Sequence, residues 1–299
     1  MVDSLSDFIQ WIFSGGELPD LSGLLRGFID HPVYAAYFAA IAGIGIVLVW
    51  GAFRLAFPRV SRIAPPKWNI WLALVVIFGA FAVQLVVYSA VVMIHQSASP
   101  GEADLTKIDL LDSALAVIIS SPIICVGGYF LLRTIVRARA ADIGISPRGA
   151  PANFGRGLLL VTMMAPLFLV LAALNSMYLQ TVHVDTSEQA VVQTLREAKT
   201  PLEMVIISLM ALVAAPVWEE FVFRGVLFNG LRKSIGADEA ILISAAFFAA
   251  IHGSVAAFAP IFFLAALLAY AYQRTGSLLT PIAMHCLFNA LNLFQIFNS

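Results

Sequence analysis

Charge is what this sequence has least of. Only 12% of its 299 residues are Asp, Glu, Lys or Arg, where soluble domains carry roughly a quarter. With 61% hydrophobic residues and a mean hydropathy of +0.91, that shortage excludes an ordinary soluble fold. A net charge of -1 gives no basic footprint for nucleic acid, so none is expected as a partner. Cysteine is scarce too. Cys125 and Cys286 lie far apart, each in an apolar stretch, which argues against a disulfide framework or a cysteine metal site. Residues 1–20 carry Asp3, Asp7, Glu17 and Asp20 and no basic cluster, so no cleavable signal peptide is expected. No internal repeat or low-complexity stretch is visible.

What is present is a series of apolar blocks separated by short polar loops. Eight can be counted, at about 33–53, 69–94, 113–132, 157–180, 202–231, 239–252, 256–273 and 281–297, against a spanning requirement of about 20 helical residues. The sixth and eighth are short. The fold class expected is all-α, a polytopic membrane helical bundle of about eight transmembrane helices. Pro122, Pro166 and Pro216 fall inside blocks and predict kinks more than breaks. Before the first block, residues 1–32 read as an interfacial amphipathic segment, with Leu5, Phe8, Ile9, Trp11 and Ile12 on one face. Residues 33–200 form an N-terminal four-helix membrane region whose role the sequence leaves open, and 201–299 form a separate unit that holds the polar residues discussed below.

Basic residues set the expected orientation. Arg54, Arg59, Arg62 and Lys67 fill the first connection, Arg133, Arg137, Arg139, Arg148 and Arg156 the third, Arg232 and Lys233 the fifth, and Arg274 the seventh. Those connections are expected on the cytoplasmic side of a bacterial cytoplasmic membrane, with both termini on the outer face. In the loop before the fifth block, Val191, Val192 and Leu195 suggest a short surface helix. Thr200, Pro201 and Glu203 then form a capping-box start. Thr280 and Pro281 repeat the cap-then-proline signal, and Gly253 after His252 reads as a helix stop.

Inside the fifth block the run 215–225, APVWEEFVFRG, holds Glu219, Glu220 and Arg224. A charge near a bilayer centre costs about 2.5–3.5 kcal/mol on insertion scales, so three in six residues must pair, face a polar cavity or work. Glu220 and Arg224 are four apart and share a helix face; a buried ion pair tying helices together would account for them. It would not account for Glu219, which points about 100 degrees away. His252, with Phe248 one turn earlier, is alone readable as a hydrogen-bonded helix end. His285 and Asn289, one turn apart on the last helix, are alone readable as a bond to a neighbouring helix.

Together these residues supply the parts of a hydrolase. A carboxylate and a histidine can share a water, the carboxylate taking its proton, while a second histidine and an asparagine donate to the oxygen that becomes negative as water adds to an amide. Burial works against the charge a base needs, and Arg224 would help hold Glu219 ionised, with Glu220 competing for it. Depth is a check. Counted from the cytoplasmic ends, Glu219 and His252 lie about 18 and 20 Å in and His285 only about 6 Å beyond its helix start. The levels agree only if 275–279, TGSLL, runs back inward as an extended connector covered by protein.

The segments EEFVFR, FAAIH and HCLFN resemble the EExxxR, FxxxH and HxxxN motifs of the type II CAAX prenyl endopeptidases, the CPBP or Abi family of intramembrane proteases, across about 203–297. The first 200 residues carry no readable signal of that family. The resemblance implies an all-helical peptidase with its site sunk in the membrane. In it Glu219 with His252 would activate water, His285 and Asn289 would form the oxyanion hole, and Glu220, Arg224 and Phe248 would support the site. The implied substrate is a membrane-associated or lipidated peptide or protein. Family members are often labelled metalloproteases, and zinc would fall on Glu219, His252 and His285; with HExxH absent, the reading favours no metal and no other cofactor.

Two alternatives stand beside it. A proton-coupled transporter would use the same acids and histidines, but it would want an internal repeat and a polar path, and the first four blocks are nearly bare of ionisable groups. A non-catalytic scaffold or immunity-type factor on the same fold is opposed only by the presence of every motif position. No paired membrane aspartates suggest an aspartyl site. Ser254, beside His252 and Gly253, reads as a cap, with no oriented acid behind it.

Overall fold

The apolar blocks fold as helices wherever the structure, a computed structural model, describes them: residues 66–98, 110–147, 149–181 and 200–298. No strand occurs among the described residues. The helices are α1 Ile70–Ala98, α2 Leu110–Val136, α3 Ala150–Thr181, α4 Pro201–Ile235, α5 Ala237–Ile251, α6 Val255–Thr275 and α7 Leu279–Asn298. The first block, the interfacial segment 1–32 and the surface helix expected near 191–195 lie outside the described residues.

Four of these helices are long and apolar enough to cross a membrane: α1, 111–136 of α2, α4, and 257–275 of α6. The expected count of about eight is therefore not reached among the described residues. α5 runs only 15 residues, about 22 Å, against a hydrocarbon core of about 30 Å, and the apolar part of α7 is also short. Pro122 and Pro166 sit inside continuous helices, as a kink rather than a break requires.

α4 is the centre of the bundle, packed against α1, α2, α5, α6 and α7. Its apolar faces meet a core that includes Trp68, Ile77, Phe223, Phe228, Phe248 and Tyr272. Because hydrocarbon solvates Leu as well as a neighbouring helix does, polar pegs and small residues carry much of the specificity. Trp68 Nε1 donates to the Val226 carbonyl at 2.9 Å, tying the segment just before α1 to α4, and Ser120 on α2 donates to Gln84 on α1. Gly157 brings α3 against α7: a Cβ there would press on the Thr280 carbonyl and come within 2.8 Å of the Ala283 methyl.

One end of the bundle collects the basic residues. Lys67 Nζ pairs with Asp142 Oδ2 at 2.7 Å and donates to the Arg137 carbonyl, while Lys233 Nζ donates to the Lys67 carbonyl. Asp142 lies in a 3₁₀ turn, Ala140–Ile143, where it also accepts from the Arg139 backbone N–H at 2.7 Å. Burial alone would raise the Asp142 carboxyl; the Lys67 ammonium and the Arg139 backbone and side-chain donors outweigh it and hold it below the usual carboxylate range. A carboxyl lowered in the folded state contributes stability above its unfolded value of about 3.9, and that contribution is lost as pH falls through the folded value. Asp142→Asn is thus expected to lower Tm at pH 7 and to lose its deficit against wild type as the pH drops from about 5 to 3. Equal deficits at both ends of that titration would mean that packing, not charge, explains the effect.

The same 3₁₀ turn covers the connector between α6 and α7. The Leu278 N–H donates to the Gly144 carbonyl at 3.0 Å, and Thr275, Ser277, Leu278 and Thr280 are all buried. The connector is protein-covered, as expected, but shorter: helix resumes at Leu279. Thr280 consequently is not the cap. Ser277 Oγ accepts from the Leu279 N–H, and the Thr280 hydroxyl instead donates to the Asn153 carbonyl of α3 at 3.1 Å.

Candidate active site

The helix that carries the two glutamates starts as its sequence dictates. Thr200 Oγ1 accepts from the Glu203 N–H and Glu203 Oε2 accepts from the Thr200 N–H, with Pro201 at the first helical position. Beyond that, α4 departs from a regular helix twice, with π turns at Met210–Ala214 and Phe221–Phe228 on either side of the α-helical Ala215–Glu220. Wide turns of this kind loosen the main-chain ladder and often mark functional sites. Nothing in the apolar pattern announces them.

Glu220 and Arg224 form the expected pair. Arg224 Nη1 donates to Glu220 Oε1 at 2.9 Å, with Glu220 0% and Arg224 1% exposed. The guanidinium is held on two further sides: Nη2 donates to the Ala265 carbonyl of α6 at 3.0 Å, and Cζ lies 4.6 Å above the Phe248 ring. Arg224 therefore makes its direct ion pair with Glu220, and the neighbour that turns toward Glu219 is His285.

His285 lies between the two glutamates. Its Nδ1 meets Glu220 Oε1 at 2.9 Å, and its Nε2 is 3.9 Å from Glu219 Oε2. The contact also settles the depth argument. Glu220 is about 22 Å along α4 from Ile235, while His285 is only about 9 Å from the start of α7, so α7 begins well inside the level at which α4 ends. His285 thus turns one ring nitrogen to each glutamate, and whichever nitrogen carries a proton can donate it toward a carboxylate.

His252 closes α5, and Gly253 at φ +67 turns the chain away from it. Its Nδ1 contacts the Phe248 carbonyl at 2.7 Å. A carbonyl only accepts, so Nδ1 carries a proton and Nε2 is the ring nitrogen left to face outward from that bond. The Phe248 ring holds the neighbourhood together, 4.7 Å from the His252 ring and 6.0 Å from the His285 ring. His252 is exposed, Glu219 half-buried and His285 buried, and no direct hydrogen bond joins Glu219 to His252. Ser254 caps α6, its Oγ accepting from the Ala257 N–H.

Asn289 lies one turn beyond His285 on α7, and its Nδ2 donates to the Ala211 carbonyl in the first π turn of α4 at 2.8 Å. One N–H of the amide is engaged there, and the other has no partner among the described residues. Among groups that sequence reasoning did not single out, the Ala211 and Ala265 carbonyls take part by holding Asn289 and Arg224, and main-chain acceptors of this kind leave no mark in side-chain motifs. Glu220 Oε2 and Trp218 Nε1 are buried without a partner among the described residues. A buried carboxylate oxygen in that condition is costly, and such sites are kept where polar chemistry needs them.

The residues do not make a ready metal cage. Among the described residues no group of three or more His, Cys, Asp or Glu side chains is placed to ligate one ion. His285 Nδ1 faces Glu220 and His252 Nδ1 faces a carbonyl, so of the set Glu219, His252 and His285 only the two Nε2 atoms and the Glu219 carboxylate would be left to hold zinc. No step below is routed through a metal.

Curated proteins and solved structures show no match to this chain. The comparison with protein families does: residues 201–291, which span α4, α5, α6 and most of α7 and include every residue of the site, match the family model of the type II CAAX prenyl endopeptidases, Rce1-like.

Proposed function

We infer that this chain is an intramembrane endopeptidase that hydrolyses a peptide bond of a membrane-associated or lipidated substrate. The observation that carries the reading is the placing of His285 between Glu219 and Glu220, with Arg224 and Phe248 fixing the arrangement from α4 and α5. In the proposed reaction a water lies between Glu219 and His252. Glu219 takes a proton from it as its oxygen attacks the amide carbon, and the tetrahedral oxyanion accepts from His285 Nε2–H and from the remaining Asn289 N–H. The proton then passes to the departing nitrogen as the C–N bond breaks, giving a carboxylic acid and an amine. Glu220 and Arg224 set the charge and orientation of His285. The basic residues gathered at one end of the bundle, Lys67, Arg137, Arg139 and Lys233 among them, favour that end as the cytoplasmic one, which puts both termini outside in a bacterial cytoplasmic membrane.

The test is proteolysis by the purified full chain in detergent, with a quenched lipidated peptide and a digest of membrane proteins as substrates, each with and without chelator. Cleavage unchanged by chelator is the expected result. Cleavage lost on chelation would move the chemistry to a metal, and failure to cut any substrate would sink the peptidase reading.

A further inference from the structure

Pro216, expected to kink its block, lies three residues before Glu219 in the helix that carries the glutamates. At the first π turn the main-chain ladder runs five residues back: the Ala215 N–H donates to the Met210 carbonyl. The next bond in that register would run from residue 216 to the carbonyl of Ala211. Residue 216 is proline and has no N–H. The acceptor deprived of its main-chain donor is the same one to which Asn289 Nδ2 donates, at 2.8 Å. A second carbonyl of the turn, Ala214, lies 3.2 Å from Ser121 Oγ of α2, whose single proton has a shorter acceptor in the Val117 carbonyl at 2.6 Å.

We propose that Pro216 is a positioning residue: by withholding the main-chain donor of the π turn, it leaves the Ala211 carbonyl to hold the Asn289 amide. An asparagine side chain on a helix turns freely about two bonds. One strong acceptor fixes its plane, and with it the direction of the second N–H, which rests on the reading above for its role toward the oxyanion. The proline thus acts across a helix interface on a residue 73 positions later in the chain. Ser121, whose one proton is shared with its own helix, has no second donor to present.

The experiment is a double-mutant cycle on the full chain, read by thermal stability and by kinetics. Pro216→Ala restores an N–H to the turn, so the Ala211 carbonyl no longer depends on Asn289. In the wild-type background Asn289→Ala should lower Tm by about 2–4 °C, because a part-buried acceptor loses its side-chain donor. In the Pro216→Ala background the same change should lower Tm by less than half as much. Equal losses in both backgrounds overturn the proposal, whether or not the protein cuts anything. If the peptidase reading holds, Pro216→Ala should lower kcat about 10- to 100-fold with KM unchanged. The double variant should then be no slower than Asn289→Ala, and Ser121→Ala should keep kcat near wild type. Wild-type kcat in Pro216→Ala, or losses that multiply, would show that the proline does not act through Asn289. An inactive wild type with an intact stability cycle would sink the peptidase reading and leave the positioning in place.

Discussion

If Glu219 is the base of the proposed hydrolysis, replacing it by glutamine should all but abolish peptide cleavage while the bundle stays folded. Glutamine keeps the size of the side chain and its ability to hold a water, but it cannot accept a proton, so the loss isolates the base. Positioned general bases contribute about 10²- to 10⁴-fold, and kcat should fall by that factor with little change in KM. The fold should survive because Glu219 is outside the ion pair that binds the helices: Arg224 is committed to Glu220 and to Ala265, and the nearest approach of His285 to Glu219 is 3.9 Å. Measuring kcat on the quenched peptide and Tm on the same preparation separates the two effects. A Glu219→Gln protein that cleaves at the wild-type rate would remove Glu219 from the chemistry altogether.

Arg224→Met should be the most destabilising single change in the site. The arginine is 1% exposed and its partner Glu220 is 0% exposed, so its removal leaves a carboxylate in the core with His285 Nδ1 as its remaining partner. Breaking one side of such a pair costs about 3–5 kcal/mol, whereas replacing both partners by uncharged groups of similar volume is often close to neutral. The double variant Glu220→Gln with Arg224→Met is therefore expected to recover most of the stability that Arg224→Met loses. Unfolding free energies by denaturant titration in mixed micelles would show it. If the single variant is as stable as wild type, the pair does not bind the helices together and its value lies in the charge it gives His285. The double variant should remain inactive even where stable, since His285 Nδ1 would face a neutral amide in place of Glu220 Oε1.

The sequence carried the side chains of the site further than it carried the backbone around them. Spacing of four puts Glu220 beside Arg224 and His285 beside Asn289, and simple rise along a helix requires α7 to begin deep, as its contact with Glu220 requires too. Helix ends were legible where a short polar side chain had one job, at Thr200 and Ser254, and misread at Thr280, whose hydroxyl had a tertiary partner on α3. The pairing of His285 with both glutamates was not legible, because nothing in three separate motifs says which imidazole faces which acid. The π turns were not legible either. Periodicity sees only the faces of a helix, and a one-residue change of ladder register leaves α4 apolar all round. That register decides which carbonyl Pro216 frees, Ala211 rather than Leu212, and so where Asn289 is anchored.

The deep start of α7 has a consequence for biosynthesis. A ribosome releases α4, with its glutamates and arginine, well before it releases the helix that brings His285 to them. Until α7 has slid in beside α3 and α4, the nascent chain holds an acidic centre with no imidazole to balance it and no second donor for an oxyanion. On the proposed reaction an interrupted chain would be inert, and the finished protein's cutting power could not be turned on its neighbours in the translocon while it is being made.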